Sequence, residues 1–238
     1  MTDAHCHVSC GDSSVRELLV GRDFFGVHPW ETLEECKVES VKCKVEEELR
    51  SKLIANPKAG VGEIGLDRLK VRDIPPLMRE VFESQLALAL ELRRPVVLHG
   101  AKCWGQVVET IKNYELRIMN QEGKSSSIHH SSFIIHHSFL FHGFSRSDGL
   151  IPEIVELNGF ISVGPAVLND HAVNYRELVK KIPLDRLLVE TDAVVGARVP
   201  TRPHIRDVLV KTADILNLSA AELEKTTDEN ADRFLGAV

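Results

Sequence analysis

The sequence predicts an α/β fold, a TIM-like (β/α) barrel, and three observations carry that reading. Short apolar runs of four to six residues, rich in β-formers and small residues, recur along the chain as buried parallel strands do. Helix-like segments separate them, so β and α alternate from end to end. Several of the runs finish on an ionisable residue, which fits the rim of a barrel, where the carboxyl ends of all strands open together. With 238 residues, 43% apolar and 27% charged, the chain reads as one domain over residues 1–238.

In order, Ala4 to Val8 reads as the first strand, Ser13 to Leu19 as a short helix and Phe24 to His28 as the second strand. A long helix begins near Thr32, because Val38, Val41, Val45, Leu49 and Leu53 recur at helical spacing with Glu and Lys between them. Ala59 to Leu66 is the third strand, and Pro75 and Pro76 open a helix through Leu92, proline being tolerated in a first turn. The fourth strand ends at His99, a helix runs from about Gly105 to Leu116, and the fifth strand ends at His142. Gly159 to Val163 and Leu187 to Thr191 supply strands six and seven. Ser219-Ala220-Ala221-Glu222 has the form of a capping box, and Asp228 to Leu235 makes a last helix.

Chemistry concentrates at the strand ends. In Asp3-Ala4-His5-Cys6-His7, two histidines leave the same strand face about 6.6 Å apart along the backbone, a spacing at which two imidazoles converge on one metal ion. Cys6 between them points the opposite way, as a small buried residue. Glu63, His99, His142 and Asp192 close four other apolar runs, so six candidates face one pocket.

Composition narrows the partners. A net charge of −6 argues against broad basic coating of nucleic acid, while a local basic patch or bound cations can still engage phosphates. Five scattered cysteines without a Cys-x-x-Cys indicate neither a disulfide framework nor a zinc ribbon, but reduced thiols. No apolar stretch is long enough to span a membrane, and residues 1–20 lack the pattern of a signal peptide, so a cytoplasmic protein is expected.

Seven segments stand out along the chain: Asp3-Ala4-His5-Cys6-His7, Gly26-Val27-His28-Pro29, Gly62-Glu63-Ile64-Gly65-Leu66-Asp67, Pro95-Val96-Val97-Leu98-His99, His142-Gly143-Phe144-Ser145, Glu190-Thr191-Asp192 and Glu229-Asn230-Ala231-Asp232-Arg233-Phe234. In this order, and over nearly the whole chain, they resemble the TatD family of metal-dependent deoxyribonucleases within the amidohydrolase-like barrel superfamily. The resemblance implies two divalent metal ions (Mg, Mn or Zn). His5, His7 and Asp192 would hold one, His99 and His142 the other, and Glu63 would bridge them. Asp192 would serve as general base, Glu63 as scaffold, and His28 would lie near the scissile phosphate. The implied activity is hydrolysis of phosphodiester bonds in single-stranded DNA, from 3′ to 5′. The alternatives are hydrolysis of an amide or ester, including deacylation of aminoacyl-tRNA, and a metal-binding barrel without catalysis. Glu63 stands where many amidohydrolases carry a carbamylated lysine, which favours the nuclease.

Neighbouring residues have plainer readings. Lys102 is a phosphate contact or a surface lysine, and Trp30 and Phe144 are base-stacking or packing residues. Gly164-Pro165 forms a turn beside substrate, and Asp3, Asp67 and Glu190 orient histidines or form internal ion pairs. The chain departs from the family twice. Only sixteen residues separate His7 from Phe24, so a distorted or seven-stranded barrel, one β/α unit short near the N-terminus, is expected. Residues 123–137 form a low-complexity insert in which Ile128-His129-His130-Ser131-Ser132-Phe133 is nearly repeated as Ile135-His136-His137-Ser138-Phe139, and a mobile loop is expected there.

Overall fold

The structure, a computed structural model, describes residues 1–34, 44–121, 137–194 and 204–236. Among these residues eight strands form: β1 Thr2–Cys6, β2 Arg16–Leu19, β3 Phe24–Phe25, β4 Gly60–Asp67, β5 Val96–Ala101, β6 Phe139–Phe141, β7 Gly159–Val163 and β8 Leu187–Val189. β1 pairs with β2, and β3 to β8 pair in chain order, every pair parallel. Backbone bonds join the two pieces. His7 N donates to Ala193 O (2.9 Å) and Asp192 N to His5 O (3.0 Å), while Val20 bridges to Phe24. The result is the expected (β/α) barrel, with its ladder broken into a two-stranded and a six-stranded part.

The expectation of seven strands is corrected. Arg16–Leu19, read as helix from the sequence, is β2, held to β1 by Thr2↔Arg16 and Cys6↔Leu19. What the N-terminal region lacks is helices, since residues 7–15 and 20–23 link the first three strands without one. The last helix, Ala220–Leu235, covers this part of the barrel. Arg16 Nη1 donates to Asp232 Oδ1 (2.5 Å), and the Met1 ammonium meets Asp228 (3.0 Å) and Glu224 (3.2 Å) on the same helix.

Two apolar layers form around the strands. Inside, Ala4, Leu18, Phe24, Val97, Leu140, Phe160 and Leu188 pack with Phe234 of the last helix, whose ring lies 5.9 Å from Phe24 and 6.0 Å from Phe160. β4 contributes Gly62 here, where a Cβ would come within 2.7 Å of Val97 Cβ. Outside, Ile64, Leu98, Phe141, Ile161 and Val189 pack against the surrounding helices through residues such as Phe82, Val107, Ile154 and Leu209. Side chains alternate along a strand, so two residues past Val97, Leu140, Phe160 and Leu188 the same inner face carries His99, His142, Ser162 and Glu190. The barrel interior is therefore apolar at one end and polar at the carboxyl end.

Helices follow the expected order with shifted ends. Pro76–Glu91 and Trp104–Gln121 follow β4 and β5, and the Ser219 capping box opens Ala220–Leu235 as one helix. The helix expected from Thr32 is represented by Glu31–Glu34 and, after residues outside the described set, by a π-helical Lys44–Leu49 running into Arg50–Ala55. Val45, Leu49 and Leu53 are buried as their spacing requires, whereas Val38 and Val41 lie outside the described residues. The expected mobile insert also falls outside them, apart from His137, whose Nε2 lies 3.1 Å from Leu90 O. No helix among the described residues is long and apolar enough to cross a membrane.

Candidate metal centre

All six ligand candidates and His28 meet at the carboxyl end of the barrel. The strand-end rule is only partly obeyed: His142 and Asp192 follow β6 and β8, but Glu63 and His99 lie inside β4 and β5. Those two strands run on because Gly65 pairs with His99 and Asp67 with Ala101. Gly65 is required there, with φ at 145° and a hypothetical Cβ only 2.0 Å from His99 O. The ladders shift register between Asp3 and Cys6 and between Val61 and Ile64, irregularities that re-aim His5 and Glu63.

Glu63 is the centre of the cluster. Its Oε1 lies 2.5 Å from His99 Nδ1, 2.5 Å from His142 Nε2 and 3.5 Å from His28 Nε2. Its Oε2 lies 3.3 Å from His7 Nε2 and 3.5 Å from His5 Nε2. Asp192 Oδ1 stands 3.8 Å from both of those nitrogens. Three overlapping trios have converging donor atoms: His5, His7 and Glu63; His5, His142 and Asp192; and His28, Glu63 and His99. His28 therefore belongs to the cluster itself, closer to Glu63 than a role at the substrate alone suggested. Asp192, with φ at 48°, keeps a side chain 44% exposed, whereas Glu63 is 4% exposed.

The electrostatics favour positive charge. Burial opposes ionisation of Glu63, yet the facing His142 and its hydrogen bond, with the His28 and His5 rings close by, hold its carboxyl well below the usual range. Burial likewise opposes a charged His142, but Glu63, Glu190 and Asp192 raise it to about 10. His5 is pushed down to about 4, by burial and by the neighbouring His142, so its ring is a neutral donor. Both ring nitrogens of His5 and Nδ1 of His142 are buried without a hydrogen-bond partner. Such nitrogens, gathered around two carboxylates, are the donors that divalent transition ions take. The residues present fit a metal centre.

A second ring of contacts fixes the cluster. Asp67 Oδ2 accepts from His99 Nε2 (2.7 Å) and Trp30 Nε1 (2.9 Å), turning His99 Nδ1 toward Glu63. Asp3 accepts from Thr191 N and Oγ1, and Glu190 accepts from Gly143 N and Ser162 Oγ. Ser162 carried no signal in the sequence beyond its place on a strand, and Thr191 only its place between Glu190 and Asp192. Phe144 is not a stacking residue: it is fully buried, 5.4 Å from Trp104. Trp30 is 37% exposed with Lys70 Nζ 3.7 Å above its ring, and Lys102 is exposed. Cys6 is buried, its Sγ directed at Leu18 O.

A groove of about 970 Å³ opens beside the cluster, lined by Asp192 and Glu190 and also by Arg146, His171, Asn174 and Lys181. It lies between the loops that follow β6 and β7.

Over 180 residues the sequence is 28% identical to the uncharacterized metal-dependent hydrolase YabD of Bacillus subtilis, covering 73% of this chain and 64% of that one. Over 187 residues it is 27% identical to the 3′-5′ ssDNA/RNA exonuclease TatD of Klebsiella pneumoniae, covering 74% and 64%. The chain thus spans less than two thirds of the length of either relative. A crystal structure of a TatD homologue from Escherichia coli superposes with a TM-score of 0.66 at 22% identity, over 94% of this chain and 78% of that one, which is a likeness of fold. The model of the TatD related DNase family matches residues 21–236, from β3 through the last helix, and the chain belongs to that family.

Proposed function

We propose that the chain uses two divalent ions to hydrolyse phosphodiester bonds of single-stranded nucleic acid, releasing nucleotides from 3′ ends. The observation that carries the reading is the division of Glu63, one oxygen toward His28, His99 and His142 and the other toward His5 and His7. A carboxylate so divided has the form of a bridge. His5, His7 and Asp192 would hold one ion, and His99 and His142 the other. Imidazole and carboxylate together suit zinc or manganese, or magnesium with fewer histidines engaged. Ions held by these residues would supply Lewis acidity toward phosphoryl oxygens and make water more acidic.

The chain's own groups supply the rest. Asp192, open to the groove, takes the proton of the attacking water, while buried Glu63 stays a scaffold. His28 Nδ1 accepts from Trp30 N (3.1 Å), which fixes the ring with Nε2 turned to the cluster and the scissile phosphate. The relative named a 3′-5′ ssDNA/RNA exonuclease supports the polymer and polarity.

The test is nucleotide release from end-labelled single-stranded DNA by metal-stripped protein, with magnesium, manganese or zinc restored, beside Asp192→Asn. Metal-dependent release that the variant loses by at least about a hundredfold supports the reading, since general bases contribute about 10²–10⁴-fold. Hydrolysis of an amide or carboxylic ester with no release from DNA would overturn it.

A further inference from the structure

Among the described residues, the groove beside Asp192 has one arginine or lysine on its lining with no ion pair. Lys181 is paired with Asp148, and Glu177 takes Lys180 (2.7 Å), so the outer acids of the groove are matched by lysines. Arg146, two residues from Asp148, is exposed and has no ion-pair partner among the described residues. It also sits at φ 60°, in the left-handed region that favours glycine over a residue with a Cβ. A guanidinium with no ion pair among the described residues thus lines the same groove as Asp192 of the metal centre.

We propose that Arg146 receives a phosphate of the substrate strand next to the scissile one, so that the preferred substrate is a polynucleotide strand and not a small diester. The inference rests on the phosphodiesterase reading above. The groove has the volume for it: about 970 Å³ lies at the upper end of the roughly 300–1,000 Å³ of small-ligand clefts, more than one phosphate with its two esters needs. Guanidinium is suited to the task, since its fork of donors matches two phosphate oxygens at once. With a net charge of −6 the protein offers a polyanion no general attraction, and binding must depend on a few such local contacts.

Two measurements decide it. Binding of a labelled oligothymidylate to the Asp192→Asn protein, with manganese present, is followed by fluorescence anisotropy with and without Arg146→Gly, a change that suits the left-handed backbone. Arg146→Gly is expected to weaken binding about tenfold and to reduce the salt slope by about 0.7, the value for one phosphate contact to a single strand. In the otherwise wild-type protein, the ratio of kcat/KM for the oligonucleotide to that for bis(p-nitrophenyl) phosphate is expected to fall by a similar factor. Unchanged affinity and slope, or a loss shared equally by both substrates, would overturn the role of Arg146. Failure of the wild-type protein to turn over either substrate would overturn the phosphodiesterase reading instead, and the binding measurement, which needs no turnover, still decides Arg146.

Discussion

Asp67 is the residue whose removal most directly probes how the centre is held. It touches no candidate ion site; it holds His99 through Nε2 at 2.7 Å, and the same oxygen anchors Trp30 Nε1 at 2.9 Å. In Asp67→Ala the His99 ring loses the partner that fixes its orientation, and Trp30 loses its acceptor. Contacts of this kind around metal-bound histidines are worth about 10–100-fold in metal affinity, which is about 1.4–2.7 kcal/mol. Burial of Asp67 places the effect toward the upper end, because a buried pair is little screened by solvent. The assay is competition between the protein and a chromophoric chelator for zinc or manganese, with far-ultraviolet circular dichroism to establish that the variant is folded. One of the two ion affinities is expected to fall by that factor while the other, on the His5 and His7 side, changes little. Equal weakening of both, or no change beyond about twofold, would refute the argument that Asp67 acts through His99.

Other consequences follow from the same geometry. Phe234→Ala removes a fully buried ring between Phe24 and Phe160, and the cost is expected to be about 3–5 kcal/mol in denaturant unfolding; a loss under about 1 kcal/mol would mean that the inner end of the barrel is not sealed by that ring. Removing divalent ions with a chelator is expected to lower the thermal midpoint, since a site saturated at a hundred times its Kd contributes about 2.7 kcal/mol, or about 5–11 °C for a chain of this size; differential scanning calorimetry reads it, and an unmoved midpoint contradicts it. Burial pushes the Cys103 thiol up to about 12, and it lies against Leu66 O, so alkylation at pH 8 followed by peptide mass spectrometry is expected to modify exposed Cys10 well before Cys103.

Much of this architecture could be read before any coordinate was known, and the failures have identifiable causes. Ionisable residues following apolar runs pointed to Glu63, His99, His142 and Asp192, because a charged or imidazole side chain on a buried strand has to face a polar site or a partner. The reading erred at Arg16–Leu19, where Val15, Leu18 and Leu19 fit a helical face as well as a strand; four residues are too few for either period to dominate. That error became the prediction of a missing strand, when helices are what the N-terminal region lacks. Phe144 looked like a rim residue because it follows His142, but its burial against Trp104 depends on a helix distant in sequence. Asp67 and Glu190 were legible as acids near histidines, whereas their partners Trp30 and Ser162 are set by the barrel's curvature, which no local pattern encodes.

A Glu63 that joins two ions is tested by metal stoichiometry, from equilibrium dialysis and elemental analysis of the wild-type protein and Glu63→Ala. Two equivalents of manganese or zinc per chain, falling to one or none in the variant, is the expected result. A single equivalent in the wild-type protein, or two in both, would contradict the bridge and with it the two-ion account of phosphodiester hydrolysis.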